Sequence, residues 1–387
     1  MIITPSKRLG EVKEYYFSTK LREIREMMAA GKDVINLAIG NPSLPPSSSV
    51  ITELHLQSAD STNHGYQPYK GVPELSQEMS NWMHRIYGQH FDPSSEILPL
   101  IGSKEGIMHI SLAFLDEGDK VLVPELAYPA YAAAANMVKA KAIRFPLLEE
   151  ENWEPDWEYL YGLDCTDVKL LWINYPNMPT GKPASKELFK KFVAFAKEKQ
   201  VLLCHDNPYS LILNDNPLSI FNVEGAREVA LELQSMSKSH NMAGWRFGWV
   251  CGNADYLDLI LRVKSNFDSG QFKPAQKAAV SALKLDYEWF ALNNLVYREC
   301  EQLASELLNA LGCTSFQKQV GMFKWAKIPS HFSDAAGFTD WLLEEKHIFL
   351  TPGFVFGEKG NSYARISLSS PKELYSKALE RVVGQKV

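Results

Sequence analysis

VKLLWINYPNMPTGKPASKELFKKFVAFAKEKQVLLCH, running from Val168 to His205, is the stretch that decides the fold. Val168 to Asn174 is a continuous apolar strand. It has no wet face, so it reads as a strand covered on both sides. Ser185 then caps an amphipathic helix that runs to Lys199, with Glu187 in the first turn, where the helix dipole favours a negative charge. Val201 to His205 is a second buried strand. Strand, helix, strand in that order makes a parallel crossover.

The same alternation extends outward from this unit. Ile97 to Ile101 is a short apolar run, followed by helical spacing from Lys104 to Leu115. Lys120 to Val123 reads as strand, Pro129 to Lys139 as a helix with proline at its start, and Lys141 to Pro146 as strand. Val229 to Ser235 and Arg246 to Gly252 complete the series. The expectation is an α/β protein with a mainly parallel sheet and helices on both faces. The C-terminal part differs. Asp286 to Leu311 is one long amphipathic helix, stopped by Gly312. After it come isolated strands (Met322 to Ala326, Ala364 to Ser369) and helices (Ala335 to Lys346, Pro371 to Val383). This reads as a smaller α+β domain. We place the large domain at 46–285 and build the small one from both ends, 1–45 plus 286–387.

Composition narrows the function classes. The 387 residues are 45% hydrophobic and 22% charged, ordinary for a folded protein of two or three domains. Forty basic against 46 acidic residues give a net charge of −6, without the basic surplus of a phosphate-backbone binder. No nucleic-acid partner is expected. No apolar run approaches the length of a membrane span; the longest candidate, Pro129 to Val138, is interrupted by Asn136. The five cysteines are widely spaced with no CxxC, which argues against a disulfide framework or a zinc site, and no metal is expected. The opening residues contain no signal-like apolar core, so a cytoplasmic location is expected.

Ligands of a parallel sheet collect at the carboxyl ends of its strands. After Ile101 comes Gly102-Ser103-Lys104-Glu105-Gly106, a small-residue turn feeding a helix N-terminus, which suits a phosphate. Alone it reads as tight-turn packing. After Asn174 comes Tyr175-Pro176-Asn177-Met178-Pro179-Thr180-Gly181, a rigid bend. After His205 comes Asp206-Asn207-Pro208-Tyr209; a carboxylate there is costly without a cationic partner, unless it serves as an N-cap or in an Asx turn. After Gln234 comes Ser235-Met236-Ser237-Lys238, leading into Gly244-Trp245-Arg246-Phe247-Gly248. A lysine in so apolar a place has a lowered pKa, as an amine that must act as a nucleophile requires. Each feature alone has a bland explanation. Their joint occurrence at successive strand ends does not.

In these motifs the chain resembles the class I/II aminotransferases of fold type I, which use pyridoxal 5′-phosphate (PLP). The resemblance spans nearly the whole sequence, from Asn36-Leu37-Ala38-Ile39-Gly40-Asn41-Pro42 to Tyr363-Ala364-Arg365-Ile366-Ser367, and SxSKxxxMxGWRFG is its most specific signal. Ser265-Asn266-Phe267-Asp268-Ser269-Gly270 is similar to the branch containing LL-diaminopimelate and aspartate-type aminotransferases. The resemblance implies a seven-stranded sheet in the large domain, a homodimer, and ping-pong transfer of an amino group between an L-amino acid and a 2-oxo acid.

It also implies roles position by position. Lys238 matches the lysine that carries PLP and moves the substrate proton. Asp206 matches the carboxylate facing the pyridine nitrogen, and Tyr209 the phenol on the ring's 3′ oxygen. Tyr128, in Ala127-Tyr128-Pro129-x-Tyr131, matches the stacked aromatic. Ser103 and Lys104 match the phosphate loop, with Ser235 and Arg246 as further phosphate ligands. Tyr66 matches a tyrosine reaching the neighbouring subunit's phosphate. Arg365 matches the arginine that grips the substrate carboxylate, and Gly40 the backbone that closes over it.

One position departs. The family usually has asparagine before Pro-Thr-Gly, and this chain has Met178, a thioether that donates no hydrogen bond. Met178 is expected to line the substrate site, with Asn177 or Asn174 as candidate substitutes for the missing donor. Its presence keeps open a PLP-dependent carbon–sulfur β-lyase. A non-catalytic PLP-fold regulator is disfavoured because about 35 residues precede the first core strand and no basic recognition helix is seen. Substrate side-chain specificity is not legible. Lys70, Lys264 and Lys273 are candidates for a distal cation, with surface charge the more ordinary reading of each, and Tyr15, Tyr16, Phe17 and Phe267 for an apolar pocket, with core or dimer-interface packing the more common use.

Overall fold

The structure is a computed structural model and describes residues 2–6, 16–316 and 318–384. Its centre is a seven-stranded sheet. In chain order the strands are β1 (Ile97–Leu100), β2 (Lys120–Pro124), β3 (Lys141–Phe145), β4 (Val168–Asn174), β5 (Leu202–Asp206), β6 (Ala230–Ser235) and β7 (Gly248–Gly252). Across the sheet the order is β1-β7-β6-β5-β4-β2-β3. From β6 to β3 all neighbours are parallel; β7 alone runs against both its partners. The β4–helix–β5 unit forms as the sequence predicts, with Ser185 Oγ accepting from Leu188 N to cap the helix Lys186–Lys199.

Alternation along the strands divides the core. Leu170 and Trp172 of β4 pack on one face with Cys204, Leu231, Leu233 and the helix residues Ile107 and Ile110. Leu171 and Ile173 turn the other way, toward Leu203, Phe189 and Phe192. Period-two side chains buried on both sides explain why these strands read as unbroken apolar runs.

Some boundaries shift from expectation. β7 starts at Gly248, not at Arg246, because Arg246 sits in the left-handed region (φ 62°). Gly248 is pressed against the helix starting at Ser103: a Cβ there would lie 2.9 Å from Ser103 N and 2.6 Å from Gln234 O. Val229 ends a four-residue helix rather than starting β6.

The C-terminal part folds as a long helix, Tyr287–Ala310, capped by Asp286 and packed against Lys372–Val383. Beside them an antiparallel sheet joins Thr314–Ser315, Phe323–Lys327, Tyr363–Ser367 and Thr351–Pro352. Ile35–Asn36 pairs in parallel with Ile348–Phe349. Among the described residues, no helix is long and apolar enough to cross a membrane.

Candidate active site

Strand register brings the site together. Asn174 lies opposite Asp206 on β4 and β5, Asp206 opposite Leu233 on β6, and Ser235 opposite Gly248 on β7. The carboxyl ends of three strands and the start of a fourth therefore meet at one edge. A cavity of about 370 Å³ opens there, roofed by Ile39, Gly40, Phe323, Phe356 and Arg365 from outside the large sheet. Its wall includes Ser103, Lys104, Tyr128, Met178, Asp206, Tyr209, Ser235, Lys238 and Arg246. Of the residues given cofactor or substrate roles by the resemblance, only Tyr66 stands away. It is 93% exposed on its own chain.

Lys238 lies in a single helical turn, Met236–Ser239, and its ammonium donates to Gly40 O. Burial pushes its pKa down to about 8, helped by the positive charges of Arg365 and Arg246. The expected lowered basicity is therefore present, with desolvation as its main cause.

Asp206 is 4% exposed. Its Oδ2 accepts from Tyr131 Oη at 2.7 Å, while Oδ1 is buried with no hydrogen-bond partner among the described residues. It caps no helix. Burial raises its pKa to about 6, opposed by the Tyr131 hydrogen bond and the charge of His205. Tyr131 itself stacks on Trp172 at 5.0 Å and 5°. Tyr128 meets Tyr131 edge-on and lies under Lys104 Nζ, 5.9 Å from the ring centroid. Burial raises the Tyr128 phenol, Asp206 adds to this, and Arg246 opposes it.

At the far end is an anion socket. The helix Ser103–Phe114 starts behind Gly102 without a side-chain cap, and its first two residues, Ser103 and Lys104, line the cavity. Gly102 has φ +76°, and a Cβ there would stand 2.2 Å from Arg246 Nη2. Glycine is what lets the guanidinium lie over the helix N-terminus. Arg246 Nη1 donates to Ala243 O at 3.0 Å and Ser237 Oγ at 3.3 Å, neither of them anionic.

At the opposite end, the Arg365 guanidinium carbon lies 3.9 Å from the Phe323 ring centroid and 4.6 Å from that of Phe356. Its Nη2 donates to Ala38 O at 2.9 Å and its Nη1 to Met178 Sδ at 3.2 Å. Met178 lines the site as expected. Asn177 does not replace the missing donor: its Oδ1 accepts from Thr180 N and Oγ1, and its Nδ2 turns to Asn174 O. Asn174 reaches the cavity but is committed to holding the turn, donating to Asp206 O at 2.7 Å and accepting from Met178 N at 2.9 Å.

The distal-cation candidates fall outside this cavity. Lys70 donates to Ser94 O, and Lys264 is buried against Asp268. Lys273 begins a helix elsewhere. Phe17 lines the cavity. Tyr16 packs on Phe354, Phe267 is exposed beside His109, and Tyr15 lies outside the described residues. Glu105, His109 and Asp268 bring potential metal donors within 4.8 Å of one another, but the Lys264 ammonium already neutralises Asp268. Sequence reasoning missed Tyr131 as the partner of Asp206, Ser237 beside Arg246, and the Phe323/Phe356 clamp on Arg365. Tyr131 stood in the quoted aromatic motif; the clamp has no local signal.

Comparison with known proteins shows the family. A family model described as aminotransferase class I and II matches residues 32–382. The chain is similar to LL-diaminopimelate aminotransferases from Dehalococcoides mccartyi (38% identical, 98% of each chain) and Gloeobacter violaceus (39%, 97% of this chain and 96% of that one). Among solved structures it is similar to apo BacF from Bacillus subtilis: TM-score 0.94, 33% identity, 100% of this chain and 99% of that one. Aspartate aminotransferase from Thermus thermophilus with maleate has TM-score 0.91 at 25% identity, with 98% of each chain covered. On fold, site and sequence together, the chain belongs to the aminotransferase class I and II family.

Proposed function

We propose that this cavity holds PLP and moves an amino group between an L-amino acid and a 2-oxo acid, with LL-diaminopimelate the donor to try first. The observation that carries the reading is Asp206 Oδ1, a buried carboxylate oxygen without a partner among the described residues, on a residue that lines the same cavity as Lys238 and Arg365. Such an atom is costly unless a cation meets it, and a protonated pyridine nitrogen is one. The uncapped helix N-terminus, Ser235, Ser237 and Arg246 suit a phosphate at the other end. Tyr128 suits the ring face and Tyr209 its 3′ oxygen. When bound, the cofactor supplies an aldehyde carbon for the amine and a ring that withdraws electrons from the substrate's Cα.

The chain's own groups do the rest. Arg365 takes the substrate carboxylate. A thioether is a weak acceptor, so exchanging Met178 Sδ for a carboxylate at Nη1 is favourable, and the two phenylalanine rings fix the guanidinium plane. Lys238, held over the cavity by Gly40 O, accepts and returns the proton at Nζ. Phe17, Ile39, Phe323 and Phe356 exclude water from that transfer.

The choice of donor rests on the named relatives: the cations lining the cavity are Lys104, Lys238, Arg246 and Arg365, each already given another role. We infer a homodimer, supported by exposed Tyr66, Tyr69, Phe267 and Phe272 around the close approach of Gly270 to Gln67. The two-piece small domain is supported by the Ile35–Ile348 pairing, and a cytoplasmic location by five unpaired cysteines. The test is a donor screen with purified protein, PLP and 2-oxoglutarate, reading glutamate. LL-diaminopimelate should give the highest kcat/KM; a preference for phenylalanine or leucine would overturn that choice of donor. Pyruvate released from cystathionine without an acceptor would mark the carbon–sulfur lyase instead.

A further inference from the structure

Behind Asp206, on the other face of the sheet, lies a second pair of charged side chains that the amino transfer does not use directly. His205 and Glu232 are each 0% exposed and stand opposite one another on β5 and β6. His205 Nε2 is 2.9 Å from Tyr175 O. A carbonyl carries no proton, so Nε2 donates. His205 Nδ1 is 2.8 Å from Glu232 Oε2. That carboxylate also accepts from Ser219 Oγ at 3.0 Å and Ile220 N at 2.8 Å, and its Oε1 accepts from Gln234 Nε2 at 2.7 Å. A carboxyl group surrounded by donors is ionised. Nδ1 therefore carries a proton as well, and the imidazole is an imidazolium.

Other groups near the pair are neutral or closed. Tyr87, from the helix Pro73–Tyr87, and Cys251, on β7, feel the Glu232 charge, and both are raised by burial first. Phe189 covers the imidazole from the helix side, with ring centroids 5.0 Å apart. Asp206 faces Tyr131, Tyr128 and Lys238 on its own side.

We propose that His205, kept cationic by Glu232, is a positioning residue that holds Asp206 ionised through the sheet and so sets how tightly the cavity holds a protonated ring nitrogen. The proposal rests on the reading of Asp206 as that nitrogen's partner. The charges then alternate in sign: Glu232 negative, His205 positive, Asp206 negative, and the protonated ring nitrogen it would meet positive. His205 is the neighbour whose charge draws the Asp206 carboxyl back down against burial. Its second bond, to Tyr175 O, ties the same imidazolium to the turn that carries Met178.

Two measurements decide this. In the full chain with ¹⁵N-labelled histidine, NMR at neutral pH should find protons on both nitrogens of His205; a neutral ring with a proton on Nε2 alone would overturn the proposal. The second uses Glu232→Gln, whose amide oxygen in the Oε2 position still accepts from Ile220 N and Ser219 Oγ but carries no negative charge to hold the imidazole cationic. PLP affinity, read by equilibrium dialysis, should fall about tenfold, and the acid limb of its pH dependence should rise by about one unit. The ring analogue with carbon in place of the pyridine nitrogen should bind both proteins alike. An unchanged PLP affinity, or equal weakening for both ligands, would reduce the pair to a structural tie and refute the charge role. If Glu232→Gln does not fold, the protonation state found by NMR decides alone. If wild-type protein binds no PLP, it is the reading of Asp206 that fails.

Discussion

Gly102→Ala is the sharpest single perturbation of the anion socket. The methyl group would lie 2.2 Å from Arg246 Nη2 and 2.8 Å from Cζ, where ordinary contact starts at 3.4 Å. The guanidinium must retreat by more than an ångström, away from the helix N-terminus. Alanine at φ +76° also costs about 1–2 kcal/mol of backbone strain, which lowers stability with and without ligand. The displaced guanidinium forfeits a hydrogen bond to a charged oxygen, about 1.5–3 kcal/mol. At about 1.4 kcal/mol per factor of ten, PLP binding weakens roughly 10- to 100-fold. Tryptophan fluorescence titration measures this directly. Pyridoxal, which lacks the phosphate, is the control and should bind the two proteins equally. A folded variant with a PLP Kd within about twofold of wild type would refute the placement of the phosphate at Arg246.

Lys238→Ala should lower turnover by at least about 100-fold, and near-normal turnover would remove Lys238 from the mechanism. In the unloaded protein the lysine is depressed from 10.5 to about 8, so between those values the unfolded chain binds more protons and stability rises with pH. Lys238→Met should therefore be more stable than wild type below about pH 8, with an advantage in urea unfolding that shrinks toward pH 10.5; an advantage that grows would contradict the shift. Tyr131→Phe removes the hydrogen bond that holds the Asp206 carboxyl down, so the acid limb of PLP affinity should move to higher pH, and an unmoved limb would deny that coupling. Met178→Asn replaces a weak acceptor with a donor beside Arg365 and should lower KM for the amino donor by about tenfold, chiefly at low substrate; a raised KM would mean the thioether is preferred there.

The large sheet is legible in the sequence because its central strands are buried on both faces, so that Val168–Asn174, apart from exposed Lys169, and Leu202–Asp206 read as nearly continuous apolar runs. The cavity residues are legible because chemistry at strand ends leaves unusual residue types in short motifs: lysine among serines, aspartate after a buried strand, glycine before a helix. Arg246 reads as strand because its left-handed backbone has no sequence mark apart from the neighbouring glycines. The Arg365 clamp is invisible for a different reason. Phe323, Phe356 and Met178 reach the guanidinium from separate elements, and nothing local announces their meeting. His205 resembles the tail of an apolar strand, and its partner Glu232 a solvated charge, until pairing of the two strands puts them face to face.

The pairing of Ile35–Asn36 with Ile348–Phe349 has a bearing on how the chain is made. Ala38 O receives the Thr351 hydroxyl across 313 positions of sequence, and Gly40, two residues on, holds the amine of Lys238. Ile35 and Asn36 are synthesised long before Ile348 and Phe349, so this segment cannot dock until those later residues have been made. The central sheet is free to form early, but its cavity acquires a roof only after Phe323, Phe356 and Arg365 have been made. A nascent chain arrested before Ile348 would therefore have the lysine and the aspartate in place without the floor-to-ceiling enclosure that makes them useful.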